Sequence, residues 1–573
     1  MFVPIGSGMA RARRALLPLI ASFAALLVAA GTASAAPGSA ADSVGLPLAT
    51  PASQTIPPPG FRTSARQAVE IALSTRTVSR LRGEHARLTA TAYVWAGTRW
   101  EVDFGTGGKD LAEVDVSSDG GVLAVWTGVQ VDSYQARGHF GGLFDSPFVF
   151  VPFALLFLVP FVDPRRPLRL LHLDLLAMLS FGVSYLLFTG GRFYAAVPMA
   201  YPPLLYLLGR LLVAGFRGRR PAGKLVPLLS TPVLAAGALG LMAARVVLGL
   251  VSGRPVDVGY ASVVGADRIW HHLVLYVNHS SHGDTYGPLT YLAYAPFERL
   301  FPWHGRWDYL PAAHAAAITF DLLTALGLFL VARRFLPGRS GNRLGFALVW
   351  GWAAFPFTLL GLMKGTNDGL VAMLLVYAML AFASPIRRGA ILGVAAAAKF
   401  FPLALLPLFA TGRGERGWRR PALTAGSFAV VAGAAIWAFL PPEGIGKFFD
   451  ATIGYQLHRH DSWSLWGLHP SLGWLQTVAA GLAVVVAIGV AAARRSRSSA
   501  QVAALAGAVI IAAQIPATHW FYFYIPWFVP FALVALFGAF RGGAEQGEAE
   551  WAAAADLLGR RRLGEPLPDA SAH

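Results

Sequence analysis

Apolar runs of about 20 residues recur along most of this chain, each long enough to cross the roughly 30 Å hydrocarbon core as a helix. They are read near 148–162, 171–189, 193–214, 225–250, 309–332, 343–361, 369–384, 421–440, 472–493, 499–515 and 521–540. The ten-residue alternating segments of a transmembrane barrel are not seen. Composition agrees. The 573 residues are 55% hydrophobic and 13% charged, with mean hydropathy +0.53, whereas soluble domains carry roughly a quarter charged residues. The expected fold is a polytopic α-helical membrane protein of about eleven spans plus re-entrant segments, with a small α+β extracytoplasmic domain.

The net charge of +17 comes from arginines beside the spans, which is a topology signal and not a nucleic-acid footprint. Basic clusters fall at Arg165–Arg169, Arg217–Lys224, Arg333–Arg343, Arg387–Arg388, Arg413–Arg420 and Arg494–Arg497. The positive-inside rule places these in the cytoplasm. The alternation closes only if Leu289–Pro302 lies in the interface and Gly389–Ala410 enters and returns, turning near Lys399 to Pro402. The outer face then gathers Ser252–Pro288, Met363–Asp368, Pro441–Pro470 and Thr518-His519. Arginine far outnumbers lysine, a usage associated with GC-rich bacterial genomes, so a bacterial plasma membrane is expected.

Ahead of the spans, residues 1–36 read as a signal peptide or uncleaved anchor, with Arg11, Arg13 and Arg14 before an apolar run. Residues 37–60 form a Pro/Ala-rich linker. Residues 61–135 suggest one helix, Ser64–Leu88, and strands at Ala90–Trp95, Trp100–Phe104, Ala112–Val116 and Val122–Trp126. This order resembles the PepSY-type domain of bacterial envelopes, and no catalytic cluster is evident in it. Three accessory helices occupy 148–224, a core 225–540 and a cytoplasmic tail 541–573.

The polar loop Ser252–Pro288 holds Asp257, Asp267, Asp284, four histidines and Tyr286. The chain has no cysteine, which excludes thiolate catalysis, disulfides and Cys-ligated metals. No Gly-x-Ser-x-Gly elbow, Walker A loop or dinucleotide fingerprint occurs. An enzyme on the outer face sees no ATP or nucleotide sugar, so it needs an activated substrate that arrives through lipid. A polyprenyl-phosphate sugar fits. The chemistry then needs a carboxylate to take the acceptor proton and cations to hold the leaving phosphate.

Four stretches in order carry a resemblance. They are Pro255-Val256-Asp257-Val258 after a long span, Tyr286-Gly287-Pro288-Leu289-Thr290-Tyr291 with Pro296, Thr366-Asn367-Asp368-Gly369, and Gly393 to Pro402 with Lys399. Over roughly 225–540 the chain resembles the C-type glycosyltransferases of glycosyltransferase family 87. The resemblance implies transfer from a polyprenyl-phosphate sugar, mannose favoured, with inversion, to an envelope glycan or glycolipid. It makes Asp257 the general base; a solvated loop carboxylate or a partner of Arg254 is the plainer reading. Donor phosphate or sugar contacts are expected from Lys364, Lys399, His458, Arg459, His460 and His519. Asp284, Tyr286, Asn367 and Asp368 are acceptor-side or supporting candidates, although Asp284 also suits a turn and Asn367 and Asp368 suit a helix cap. Asp267 and Arg268 read first as an ion pair. No metal or other cofactor is expected, and the histidine spacing does not argue for one. The rival classes are a transporter or flippase, which would show an internal repeat, and a non-catalytic envelope sensor. Oligomeric state is not legible in the sequence.

Overall fold

The computed structural model describes residues 48–541 except 96, 108, 133–142, 219–222, 253–254, 277–284, 306–309, 413–416, 458–462 and 494–496. Among the described residues, six helices are long and apolar enough to cross a membrane: Leu170–Thr189, Phe193–Arg217, Thr231–Val251, Pro311–Phe335, Arg419–Ala438 and Pro470–Ala492. The chain is a multi-pass membrane protein, but eleven full-length spans are not found among the described residues. The expected span 343–361 is a pair of helices, Gly338–Ala354 and Pro356–Met363, bent by 61°. Pro356 has no N–H to continue the ladder, and Phe355 before it is extended with ψ 122. The other four expected spans are short helices, Pro147–Leu158, Asp368–Leu380, Ser499–Gln514 and Tyr522–Gly538. At 1.5 Å per residue none exceeds about 25 Å.

Contacts divide the chain into two compact units, one holding the described part of 48–145 with Gly182–Met199, the other Ser146–Phe181 and Ala200 onward. The first unit is a five-stranded antiparallel meander in the order β1 to β5. Its strands are β1 Leu48–Ala49, β2 Thr89–Trp95, β3 Arg99–Thr106, β4 Lys109–Ser117 and β5 Val122–Thr127. The single helix expected over Ser64–Leu88 is two, Ala65–Leu73 and Arg76–Glu84. Ser64 opens the first with a capping box to Gln67, and Thr75 caps the second by accepting the Val78 amide. Strand alternation sends Trp100, Val102, Phe104, Ala112 and Val114 against Ala65, Ala68 and Ala72. It also gathers Glu101, Glu113 and Asp115, whose carboxylate oxygens lie within 4.8 Å of one another. Arg99 Nε sits 3.2 Å from Asp115. No acidic cluster was legible in the sequence because antiparallel register, not sequence proximity, sets Glu101 opposite Asp115. Residues 182–199 join this unit through Tyr185, which donates to Asp145 and packs on Phe144.

In the second unit, buried charge repairs the bent helix. Arg245 is fully buried and donates to both Asp321 oxygens at 2.9 and 2.6 Å. Its remaining amino group donates to the Ala353 carbonyl at 3.1 Å and to Thr358 Oγ1 at 3.3 Å. Thr358 in turn donates to the Trp352 and Phe355 carbonyls. Carbonyls released by the break at Phe355 thus find donors without water, as a membrane interior requires. Arg388, expected as a loop cation, is instead buried. It donates to the Phe382 and Ala410 carbonyls and to Thr424 Oγ1. Helix Pro385–Ala398 stops at Lys399, whose backbone is extended (φ −134, ψ 131), and a short 3-10 turn Phe401–Leu405 leads into Leu406–Thr411.

Candidate active site

Asp257 is the first residue of helix Asp257–Trp270. Acidic residues suit this position because the first-turn amides have no helical partners, and Asp257 Oδ1 accepts the Val258 amide at 2.9 Å. The carboxylate is half-buried. Its loop is held against the turn after Met363: the Val256 amide donates to the Lys364 carbonyl at 3.0 Å. Gly259 permits the approach, since a Cβ there would lie 2.4 Å from the Gly365 carbonyl. Asp257 and Lys364 are thus brought to neighbouring backbone.

A second junction forms around Lys399. Its ammonium lies 2.6 Å from Asp368 Oδ1 and 5.2 Å from the ring centroids of both Tyr286 and Trp527. Trp527 Nε1 also donates to Asp368 Oδ1, at 3.1 Å. Lys399 is 9% exposed and Asp368 1%, so the pair is mutually neutralised and desolvated. The Tyr286-Gly287-Pro288 turn docks on the end of helix Pro385–Ala398. The Gly287 amide and Thr290 Oγ1 both donate to the Ala398 carbonyl, at 3.0 and 2.8 Å. A Cβ on Gly287 would sit 2.1 Å from the Ala397 carbonyl. The two junctions are tied together by Asn367, whose Nδ2 donates to Ser262 Oγ at 3.0 Å. Asn367 occupies the cap position of helix Asp368–Leu380 but makes no side-chain cap bond, and Asp368 faces Lys399. The helix-cap reading of both side chains is therefore corrected: each joins a neighbouring segment. Buried Asn367 Oδ1, Asp368 Oδ2 and Thr366 Oγ1 have no protein hydrogen-bond partner, which leaves acceptors and a hydroxyl inside the junction.

His519 lies at one remove, its ring 6.0 Å from Tyr524, which stacks on Trp527 at 4.5 Å. Asp267 and Arg268 do not form the expected pair. Asp267 Oδ1 meets His271 Nδ1 at 3.1 Å, and Arg268 donates to the Leu275 carbonyl. Consecutive helix residues point about 100° apart, while i and i+4 share a face. Burial raises the pKa of Tyr260, keeping that hydroxyl a donor. Asp284, His458, Arg459 and His460 lie outside the described residues. Trp527, Tyr524 and Ser262 escaped the sequence reading, since an aromatic in an apolar run and a serine in a helix carry no local signal. Arg245 and Asp321 did carry one, as charges inside apolar spans.

Residues 285–517 match the model of Glycosyltransferase family 87. A solved structure, described as the crystal structure of ArnT from Cupriavidus metallidurans bound to undecaprenyl phosphate, is similar at 16% identity with a TM-score of 0.38. That similarity covers 59% of this chain and 66% of the other, so the chain spans just under two thirds of that protein's length. No curated protein matches the chain.

Proposed function

With the family 87 match over 285–517 as premise, we propose that this enzyme transfers a sugar from a polyprenyl-phosphate donor on the outer face of a bacterial plasma membrane. Mannose is the favoured sugar and an envelope glycan or glycolipid the acceptor. Asp257 takes the acceptor hydroxyl proton. The oxygen attacks the anomeric carbon from the face opposite the phosphate, the bond to phosphate breaks with its electron pair, and the configuration inverts. One observation carries this reading: separate polar stretches in a largely apolar chain meet at two joined points, Asp257 beside Lys364 and Asp368 on Lys399.

The cations divide the work unequally. Asp368 already balances Lys399, so Lys399 offers a phosphate less attraction than an uncompensated charge would. Lys364, on the backbone that receives the Val256 amide, shares the phosphate with Lys399, and Arg459, His458, His460 and His519 are supplied by the later outer loops. Asp284 and Tyr286 border the acceptor side.

The test is Asp257→Asn, which keeps shape and removes basicity. Purified enzyme with a polyprenyl-phosphate sugar should lose at least about 10²-fold in transfer while donor binding holds. Asp267→Asn should remain near the wild-type rate, because its pair with the exposed His271 is worth about 0–1 kcal/mol. Near-normal transfer by Asp257→Asn sinks the assignment of the base.

A further inference from the structure

A well-formed cavity lies away from these junctions. It is a groove of about 1130 Å³ bounded by Arg166–Leu171, by helix Tyr201–Arg217, and by helices Ser499–Gln514 and Ile525–Gly538. Its walls are apolar, and several of their side chains face outward: Leu168 is 99% exposed, Leu205 55% and Val213 46%. Gly209 leaves one wall without a side chain.

Three arginines line it, Arg166, Arg169 and Arg210. Arg210 is committed, its Nε 3.0 Å from buried Asp174. Asp174 also accepts from Tyr206 at 2.8 Å. That leaves Arg166, exposed at the mouth, and Arg169. Arg169 donates to the Phe161 and Lys224 carbonyls and is half-buried, with its Nε lacking a partner. Asp163, the nearest acid in sequence, accepts the Arg165 amide. Asp163 partly offsets Arg169 electrostatically, and Arg166 adds a second cation, so the groove keeps an excess of positive charge beside a long apolar cleft, at the arginine-rich ends of the spans.

We propose that this groove binds one anionic phospholipid, its phosphate on Arg166 and Arg169 and its acyl chains along Leu168, Leu205 and Val213. Charge complementarity selects the headgroup. A zwitterionic lipid fills the same cleft but brings a cation to the same two arginines. Basic pockets between transmembrane helices on the cytoplasmic side commonly take such headgroups. Two walls of the groove, 166–171 and Tyr201–Arg217, precede the family-matched segment, so the site is an addition to the glycosyltransferase module.

The full chain should be reconstituted in nanodiscs of equal phosphatidylglycerol and phosphatidylcholine, extracted in mild detergent, and its retained lipid measured by native mass spectrometry. Wild type should keep phosphatidylglycerol well above its bilayer proportion. Each arginine near a membrane surface is worth about fivefold in binding, so Arg166→Gln should lower retention by about that factor. Arg166→Gln leaves the Arg169 bonds to Phe161 and Lys224 intact, which guards against misfolding. Val213→Trp, which fills the groove, should exclude both lipids while sugar transfer continues. No preference in wild type, or full preference in Arg166→Gln, overturns the proposal. Displacement of phosphatidylglycerol by an equal amount of polyprenyl phosphate overturns it as well, by showing that the groove belongs to the donor lipid.

Discussion

Lys399 and Asp368 show how much a single residue's meaning depends on its partner. A lone ammonium in an apolar segment such as that around Lys399 is costly. The structure supplies a carboxylate 2.6 Å away, which changes the residue from an open cation to half of a neutralised pair. Removing one partner strands the other. Asp368→Asn should therefore destabilise the protein by about 3–5 kcal/mol, read as a fall in the detergent-solubilised unfolding midpoint. The double change Asp368→Asn with Lys399→Met should recover much of that loss. A double variant no more stable than Asp368→Asn would mean that the pair is not the dominant interaction there.

Among elements, the informative ones are the helices that stop early. Gly338–Ala354 and Pro356–Met363 meet at 61°, and Arg245 with Thr358 satisfies the carbonyls at the bend. Arg245→Leu leaves Asp321 buried without its cation and the Ala353 carbonyl without this donor. A loss of about 3–5 kcal/mol is expected, and Asp321→Asn in the same chain should relieve part of it. The Tyr286-Gly287-Pro288 turn makes a similar case. Gly287→Ala places a methyl 2.1 Å from a backbone carbonyl, so the turn must lift off helix Pro385–Ala398. Overpacking of this kind costs about 1–3 kcal/mol. It should also weaken transfer, because Tyr286 would shift from Lys399; unchanged activity and stability in Gly287→Ala would show that the turn is not clamped.

For the whole molecule, topology and modularity are the open tests. The cysteine-free sequence suits single-cysteine labelling with an impermeant reagent, and burial now guides the choice of positions. Asp368 is 1% exposed and unsuited, whereas His271, Glu443 and Arg334 are exposed. Cysteines at His271 and Glu443 should label in intact cells, and one at Arg334 only after permeabilisation. Labelling at Arg334 in intact cells would invert the proposed orientation. The sheet unit contributes none of the residues at the two junctions. Any deletion should respect that Gly182–Met199 belongs to it by contact, since removing 61–135 also removes Gln130, which donates to the Gly191 carbonyl at 3.5 Å. Leu143–Asp145 stays in such a deletion and keeps Tyr185 paired with Asp145 and Phe144, so transfer should persist in the truncated protein.

By itself the sequence determined that this is a helical membrane protein, where its β-strands run and which polar residues stand out against an apolar background. These follow from periodicity, length and the cost of charge in lipid, all of which are local. It also showed four motif stretches in order. What it could not supply was which apolar helices span and which fill the centre. Ser499–Gln514 and Ile525–Gly538 are hydrophobic on every side and buried on nearly every side, while Arg419–Ala438 and Pro470–Ala492 are mostly exposed on the outside of the fold. Lipid and protein interior are equally apolar, so composition does not tell them apart. Nor could the sequence show that Asp368 closes on Lys399, or that Asn367 reaches Ser262. Partners far apart in the chain are chosen by how helices pack, and only the tertiary structure decides that.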